Sequence, residues 1–266
     1  MRSSRLGIFA IIALSVFLTT NCTYYNRIMS RKDLVDGSAA YNERKFADAE
    51  SMFRNAVSRD PEGATLEGRT AQVLLARTLH SIYIGNRKDS AKAEEAIAEY
   101  KKALQLDKED QSSYKAIAGL YEDLGQTDNW LKWVTDRAND TSIKPQFRAE
   151  ALTSLTAKKN TCANEITDTE ATKKTVKRDG KDVFEFVKPA DPAALERLKG
   201  CVADGTKMIT EAVQLEPAEL ATISTADVKT LTDAQLKANS DLIKTFESAR
   251  SYKASITSQA ARLAEM

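Results

Sequence analysis

The chain has one histidine, His80, in 266 residues. A Ser-His-Asp-type triad or a multi-histidine metal site therefore has almost nothing to build on, and a lone helical histidine ordinarily fills a packing position. No glycine-rich phosphate loop occurs, and no pair of carboxylates stands out as general acid and base. The reading is a non-enzyme with no catalytic residue, no cofactor and no metal. Glycine and proline are also scarce, 10 and 5 residues, which argues against a turn-rich all-β fold. An excess of one charge is lacking too: 39 basic residues face 38 acidic ones. Without residues 1–21, which carry Arg2 and Arg5, the balance is 37 against 38. Nucleic acid is thereby set aside as a partner, because its binders show a basic footprint. What the chain does have is 42% hydrophobic and 29% charged residues, the composition of a helix-rich folded protein.

No apolar run reaches membrane-spanning length. The apolar stretch near the start, Leu6 to Leu18, covers 13 residues, whereas a spanning helix needs about 20. Behind Arg2 and Arg5 it reads as a signal peptide. No Ala-x-Ala-like cleavage site follows; the run ends in Leu18-Thr19-Thr20-Asn21-Cys22. That ending resembles a bacterial lipobox, with Asn21 where a small residue is usual. The resemblance implies that residues 1–21 are removed and that Cys22 is lipidated. Residues 22–32 then form a tether, and the protein faces the periplasm from an envelope membrane, the outer one favoured. The alternative is an uncleaved signal anchor, and both readings export the chain.

Three cysteines occur, Cys22, Cys162 and Cys201. If Cys22 carries lipid, the other two are an even pair in an oxidising compartment. They form a disulfide or remain two buried thiols that behave as small hydrophobes. Parity and the helix arrangement below favour the bridge.

Internal repeats are visible from residue 33 onward. Leu34 to Tyr41, with Gly37 inside it, leads into Phe46-Ala47-Asp48-Ala49, continues through Phe53 and Ala56, and stops at Asp60-Pro61. The series resembles the tetratricopeptide repeat (TPR), a two-helix hairpin with one apolar stripe per helix. Gly37 and Ala49 are small where the helices cross, Phe53 fills the gap, and Pro61 ends the unit. A second copy carries Ala96, Tyr100 and Ala103 at the same spacings, 47 residues beyond Ala49. Its first helix is predicted over about Gly68 to Tyr83, with Ala76 as the small residue. The surplus length is expected in a longer loop around Gly85 to Ser90. A third copy runs from Ser112 through Tyr114, Ile117, Ala118, Tyr121 and Gly125. Its second helix, Asn129 to Ala138, is degenerate, with Trp130 and Trp133 read as packing residues.

The fourth copy is interrupted. A helix from about Pro145 to Ile166 precedes alternating residues around Asp179-Gly180, a strong two-residue hairpin signal. The predicted register pairs Lys177 with Asp182 and Val176 with Val183, placing a β-hairpin at about 174–188. A lone hairpin is marginal in water, so this one must lean on something. Helix resumes at Asp191-Pro192 and ends near Glu216-Pro217, which sets Cys162 and Cys201 on antiparallel partners. Residues 218–266 give one or two helices from about Thr232 to Glu265, a cap or a partial repeat. The fold class expected is all-α, a TPR-like α-solenoid over 33–217 with one inserted β-hairpin.

By resemblance to TPR proteins, the first helices line a groove for peptides or partner-protein segments. The positions carried over are Leu34, Ser38, Tyr41 and Asn42, then Val73, Arg77 and His80, then Lys115, Gly119 and Glu122. Of these, Tyr41, Asn42, Arg77, His80, Lys115 and Glu122 are the partner-binding candidates. Leu34 and Ser38 stand where a carboxylate clamp needs basic residues and Asn, so binding of acidic C-terminal tails is unsupported. The function implied is a membrane-tethered periplasmic scaffold or assembly factor that holds protein or peptide partners. The alternative is capture of a small ligand or glycan on the same surface.

Overall fold

Glycine at position 37 and phenylalanine at position 53 fix the first hairpin of the computed structural model, which describes residues 24–223, 225 and 227–266. Helix α1 covers residues 24–42 and α2 covers Phe46–Arg59. A Cβ added at Gly37 would stand 2.8 Å from Cε1 of Phe53, so only the bare backbone lets the two helices approach this closely. Ala49, Phe53 and Ala56 are fully buried along α2. Residues 24–32 are helical and continuous with α1 rather than a separate tether. Ser30 draws that stretch onto the hairpin, donating its hydroxyl to the Ala56 carbonyl at 3.2 Å. Residues 1–21 and Cys22 lie outside the described residues.

The turn into the second hairpin is organised by Asp60. Its carboxylate accepts bonds from the backbone N–H of Ala64 (2.9 Å) and Thr65 (2.8 Å) and from the Thr65 hydroxyl (2.6 Å). Thr65 in turn caps α3, Leu66–Gly85, by accepting from the Gly68 N–H. Helix α4 is Ser90–Leu106 and buries Ala96, Tyr100 and Ala103, matching Ala49, Phe53 and Ala56 of the first hairpin. The sequence reading put the surplus length of this repeat in a longer loop; the structure puts it in the helices. Only residues 86–89 connect α3 to α4, while α3 has 20 residues and α4 has 17. The polar stretch Asn86-Arg87-Lys88-Asp89 looks like a long loop because its Asp is the N-cap of α4, accepting from Lys92 N–H. Helix α5, Gln111–Asp123, is capped by Asp110 and ends in Gly125, at φ +68°, as its left-handed C-terminal residue.

Two compact units divide the chain, one up to Thr127 and one from Asp128. In the first, α2 packs on α3, α3 on α4 and α4 on α5. The second helices are also tied by charge: Glu50 accepts from Arg54 and Lys92, and both cations reach Glu95.

In the second unit, α6 (Thr127–Asn139) buries Trp130 and Val134, with the Lys158 ammonium 4.9 Å from the Trp130 ring centre. Trp130 thus acts in packing. Helices α7 (Pro145–Thr167) and α8 (Pro192–Gln214) form the interrupted hairpin. After the short helix α9, Leu220–Ile223, the C-terminal segment is a single helix, α10, Asp233–Glu265, which packs on both α7 and α8. Gly205 of α8 sits where a Cβ would meet Ile256 of α10 at 2.8 Å.

Strands β1 (Lys173–Arg178) and β2 (Lys181–Phe186) pair antiparallel in the predicted register, Val176 with Val183 and Lys177 with Asp182. Asp179 and Gly180 both have positive φ, 51° and 76°, the geometry that matches strand twist in a two-residue hairpin. The hairpin leans on α10, where the Arg262 guanidinium lies 4.7 Å over the Phe186 ring. Cys162 and Cys201 are joined by a disulfide, Cα atoms 6.3 Å apart. The bond lies in a core of Ala163, Ile166, Leu198 and Val202. The expected all-α class, built of helical hairpins with one inserted β-hairpin, is the class observed.

Candidate functional site

The first helices of the first unit carry a connected set of polar and aromatic side chains. Helix α1 supplies Tyr41, whose hydroxyl is 2.9 Å from the Ser81 hydroxyl of α3. Its ring meets Phe46 edge to face, centroids 5.3 Å apart. The α1–α3 contact is therefore polar, between residues 40 apart in sequence, while the aromatic contact ties α1 to the start of α2.

Helix α3 supplies Arg77 and His80, one turn apart on the same face. His80 Nδ1 lies 3.5 Å from the Tyr100 hydroxyl, with the rings edge to face. Burial pushes the imidazole below its ordinary value; the Asp123 carboxylate pulls it back and Arg87 pushes it further down. Burial pushes the Tyr100 phenol up to about 12, against the downward pull of the neighbouring Arg77 guanidinium. Tyr100 is thus the buried floor beneath Arg77 and His80. At the far end of α3, Arg87 stacks on Tyr83, 5.2 Å from its ring centre, and pairs with Asp123 of α5.

Helix α5 presents Lys115 and Glu122, both exposed, with Gly119 between them. Open space surrounds the missing Cβ of Gly119, so this glycine marks a free stretch of helix surface rather than a close crossing. Asn42 is exposed at the end of α1, whereas the Ser38 hydroxyl turns back to the Leu34 carbonyl at 2.7 Å. All six partner-binding candidates lie in this first unit, on the helices assigned to them. Sequence reasoning missed Ser81, which bonds Tyr41, Asp123 and Arg87, whose charges act on His80, and Tyr83, on which Arg87 stacks. The only signal for them was helical spacing from His80: Ser81 and Asp123 carry no motif of their own.

The arrangement offers alternating hydrogen-bond donors and acceptors with no activated nucleophile. No group of three or more His, Cys, Asp or Glu among the described residues could hold a metal. Among the same residues, no helix is long and apolar enough to cross a membrane.

No known protein family and no curated protein matches this chain. Among solved structures it is similar to YrrB, described as a TPR protein with an unusual peptide-binding site. The two share 14% identity over 80% of this chain and 97% of that one, with a TM-score of 0.35.

Proposed function

We propose that this protein is a non-enzymatic, membrane-tethered scaffold of the bacterial periplasm that holds a peptide or partner-protein segment on the first-helix face of its first unit. The observation that carries the reading is the order of that face. Tyr41 bonded to Ser81 and His80 resting on buried Tyr100 fix the side chains around Arg77 and Asn42 before any partner arrives. A surface already ordered loses less entropy on binding. Its run of donors and acceptors from Asn42 through Arg77 to Glu122 suits an extended peptide, whose backbone presents both.

The glycan alternative is less well served. Sugar rings stack on flat exposed aromatic faces, but Tyr100 is buried and Tyr41 is engaged edge-on by Phe46. Export is supported by the disulfide, since such bonds persist in oxidising compartments.

Two experiments test this. Photo-crosslinking residues placed at Asn42, Arg77 and Glu122 should give the same discrete protein adduct in intact envelopes, while Ser51 and Gln105 on the second helices should not. Adducts of equal yield from both sets would refute the groove. Cys22→Ser should abolish metabolic palmitate labelling; label retained in that variant removes the lipid anchor from the reading.

A further inference from the structure

Helix α1 is inside-out on one side. At 3.6 residues per turn, Ser30, Asp33, Gly37 and Ala40 share a face, and all four meet the hairpin. Ser30 bonds to Ala56, Asp33 pairs with Arg59 at 3.0 Å, Gly37 touches Phe53, and Ala40 is buried. A second side faces α3, where Arg27 reaches Glu67 at 3.5 Å and Tyr41 reaches Ser81. The remaining side carries Tyr24, Ile28, Val35 and Ala39, with Tyr25 beside them. Tyr24, Tyr25, Ile28 and Val35 are 69%, 58%, 50% and 60% exposed, and Ala39 is exposed as well. An outward helix face is normally polar, and the end of a repeat array needs a polar one to stay soluble. This face carries apolar side chains in two groups, 24–28 and 35–39, spread over about 22 Å of helix, with Arg31 and Lys32 flanking the turn between them.

We infer that this face of α1 lies on a phospholipid bilayer surface, an inference that rests on the anchoring of Cys22. Three observations select that occupant. The anchor residue is two positions before Tyr24, so an acyl chain at Cys22 holds the start of α1 at the headgroup level. The side chains nearest the anchor are tyrosines, which place an apolar ring and a polar hydroxyl across the membrane–water boundary. The charges flanking the stripe also complement lipid phosphates. Arg31 borders it on one side, exposed, while the acidic residues nearby are already answered within the protein, Asp33 turned inward onto Arg59 and Asp36 paired with Lys32 at 2.7 Å. The lipid at Cys22 supplies the attachment itself, and the stripe orients the first unit on the surface, because a helix held along its length cannot swing freely about an anchor at one end.

The test uses the lipidated full-length product, reconstituted into vesicles of phosphatidylethanolamine and phosphatidylglycerol that contain a phospholipid with a photoactivatable chain. Flotation reports anchoring, and mass spectrometry locates the lipid adducts. Adducts on peptides spanning residues 24–39 are expected. The double variant Ile28→Glu with Val35→Glu should float as well as the parent and melt at the same temperature. Its adduct yield on those peptides should fall about tenfold or more as two apolar side chains leave the interface. Protein that floats but carries adducts only at residue 22, or spread over both helical hairpins, overturns the inference and leaves the anchor standing. Protein that fails to float overturns the anchoring reading and the inference together. Crosslinks from Tyr24 to a second copy, without lipid adducts, would assign the stripe to self-association instead.

Discussion

The Cβ that Gly37 lacks would press to 2.8 Å from Cε1 and 3.0 Å from Cδ1 of Phe53, a ring with no exposed surface. A fully buried ring in a close-packed interior has no open space to retreat into. Glycine at this point is a packing requirement, in the middle of a helix where it would otherwise be unfavourable.

Gly37→Ala is therefore expected to destabilise the first unit even though alanine is the better helix former. Helix propensity returns about 0.5–1 kcal/mol, while overpacking costs about 1–3 kcal/mol. The denaturation midpoint should fall, and Phe53→Leu added to Gly37→Ala should recover part of the loss. An unmoved midpoint in the single variant would show that the α1–α2 crossing is looser than described.

The disulfide closes a loop with a sequence separation of 39, which in the chain-entropy model stabilises by about 4 kcal/mol. Reduction should loosen residues 160–205 first, seen as faster amide exchange there, while α1 to α4 stay protected. Repeat units that touch only their neighbours permit such local loss. Uniform loss of protection across both units would contradict it.

His80 provides a direct pH measurement, since its imidazole resonances belong to the only histidine present. The midpoint should lie below the ordinary value near 6.5, because burial disfavours the cation. Asp123→Asn should lower it further by removing the charge that pulls it back. A folded-state value below the unfolded one means stability is lost as pH falls through the unfolded value. A midpoint at or above 6.5 would show that the ring is not held against Tyr100.

Asp60 gives the acid limb. Burial pushes its carboxyl up, but the bonds from Thr65 and Ala64 and the charge of Arg69 outweigh it and hold the group below its ordinary value. Its contribution is present above the unfolded value, about 3.9, and is lost as pH falls through the lower folded one. Asp60→Asn should thus be less stable than the parent at neutral pH, with the gap closing below about pH 4. A gap that stays constant down to pH 2 would assign the loss to shape rather than charge.

Residues whose structural consequence is local are readable from the sequence alone. Asp179-Gly180 set the turn and register of the hairpin because two positive φ angles in succession select those residue types. Asp191-Pro192 started α8 for a reason contained in two residues. The series Gly37, Ala49, Phe53, Ala56 and its echo Ala96, Tyr100, Ala103 identified crossing helices, because size alternation repeats at helical spacing. The loop after α3 was misread for the converse reason: capping and loop residues are the same polar types, and only the hydrogen bond from Lys92 to Asp89 tells them apart.

What the sequence determined by itself is which face of each helix is buried and where the hairpins turn, since periodicity, caps and turn residues act over a few positions. It also determined that Cys162 and Cys201 fall on antiparallel partners. The tertiary structure alone decided what each face meets. Gln259 of α10 bonding Thr167 of α7 across 92 residues, Tyr41 bonding Ser81, and the outward apolar side of α1 are settled by packing between distant segments. A hydrophobic stripe states that a surface must be covered; the identity of its cover depends on contacts whose partners lie tens of residues away, and no local pattern encodes them.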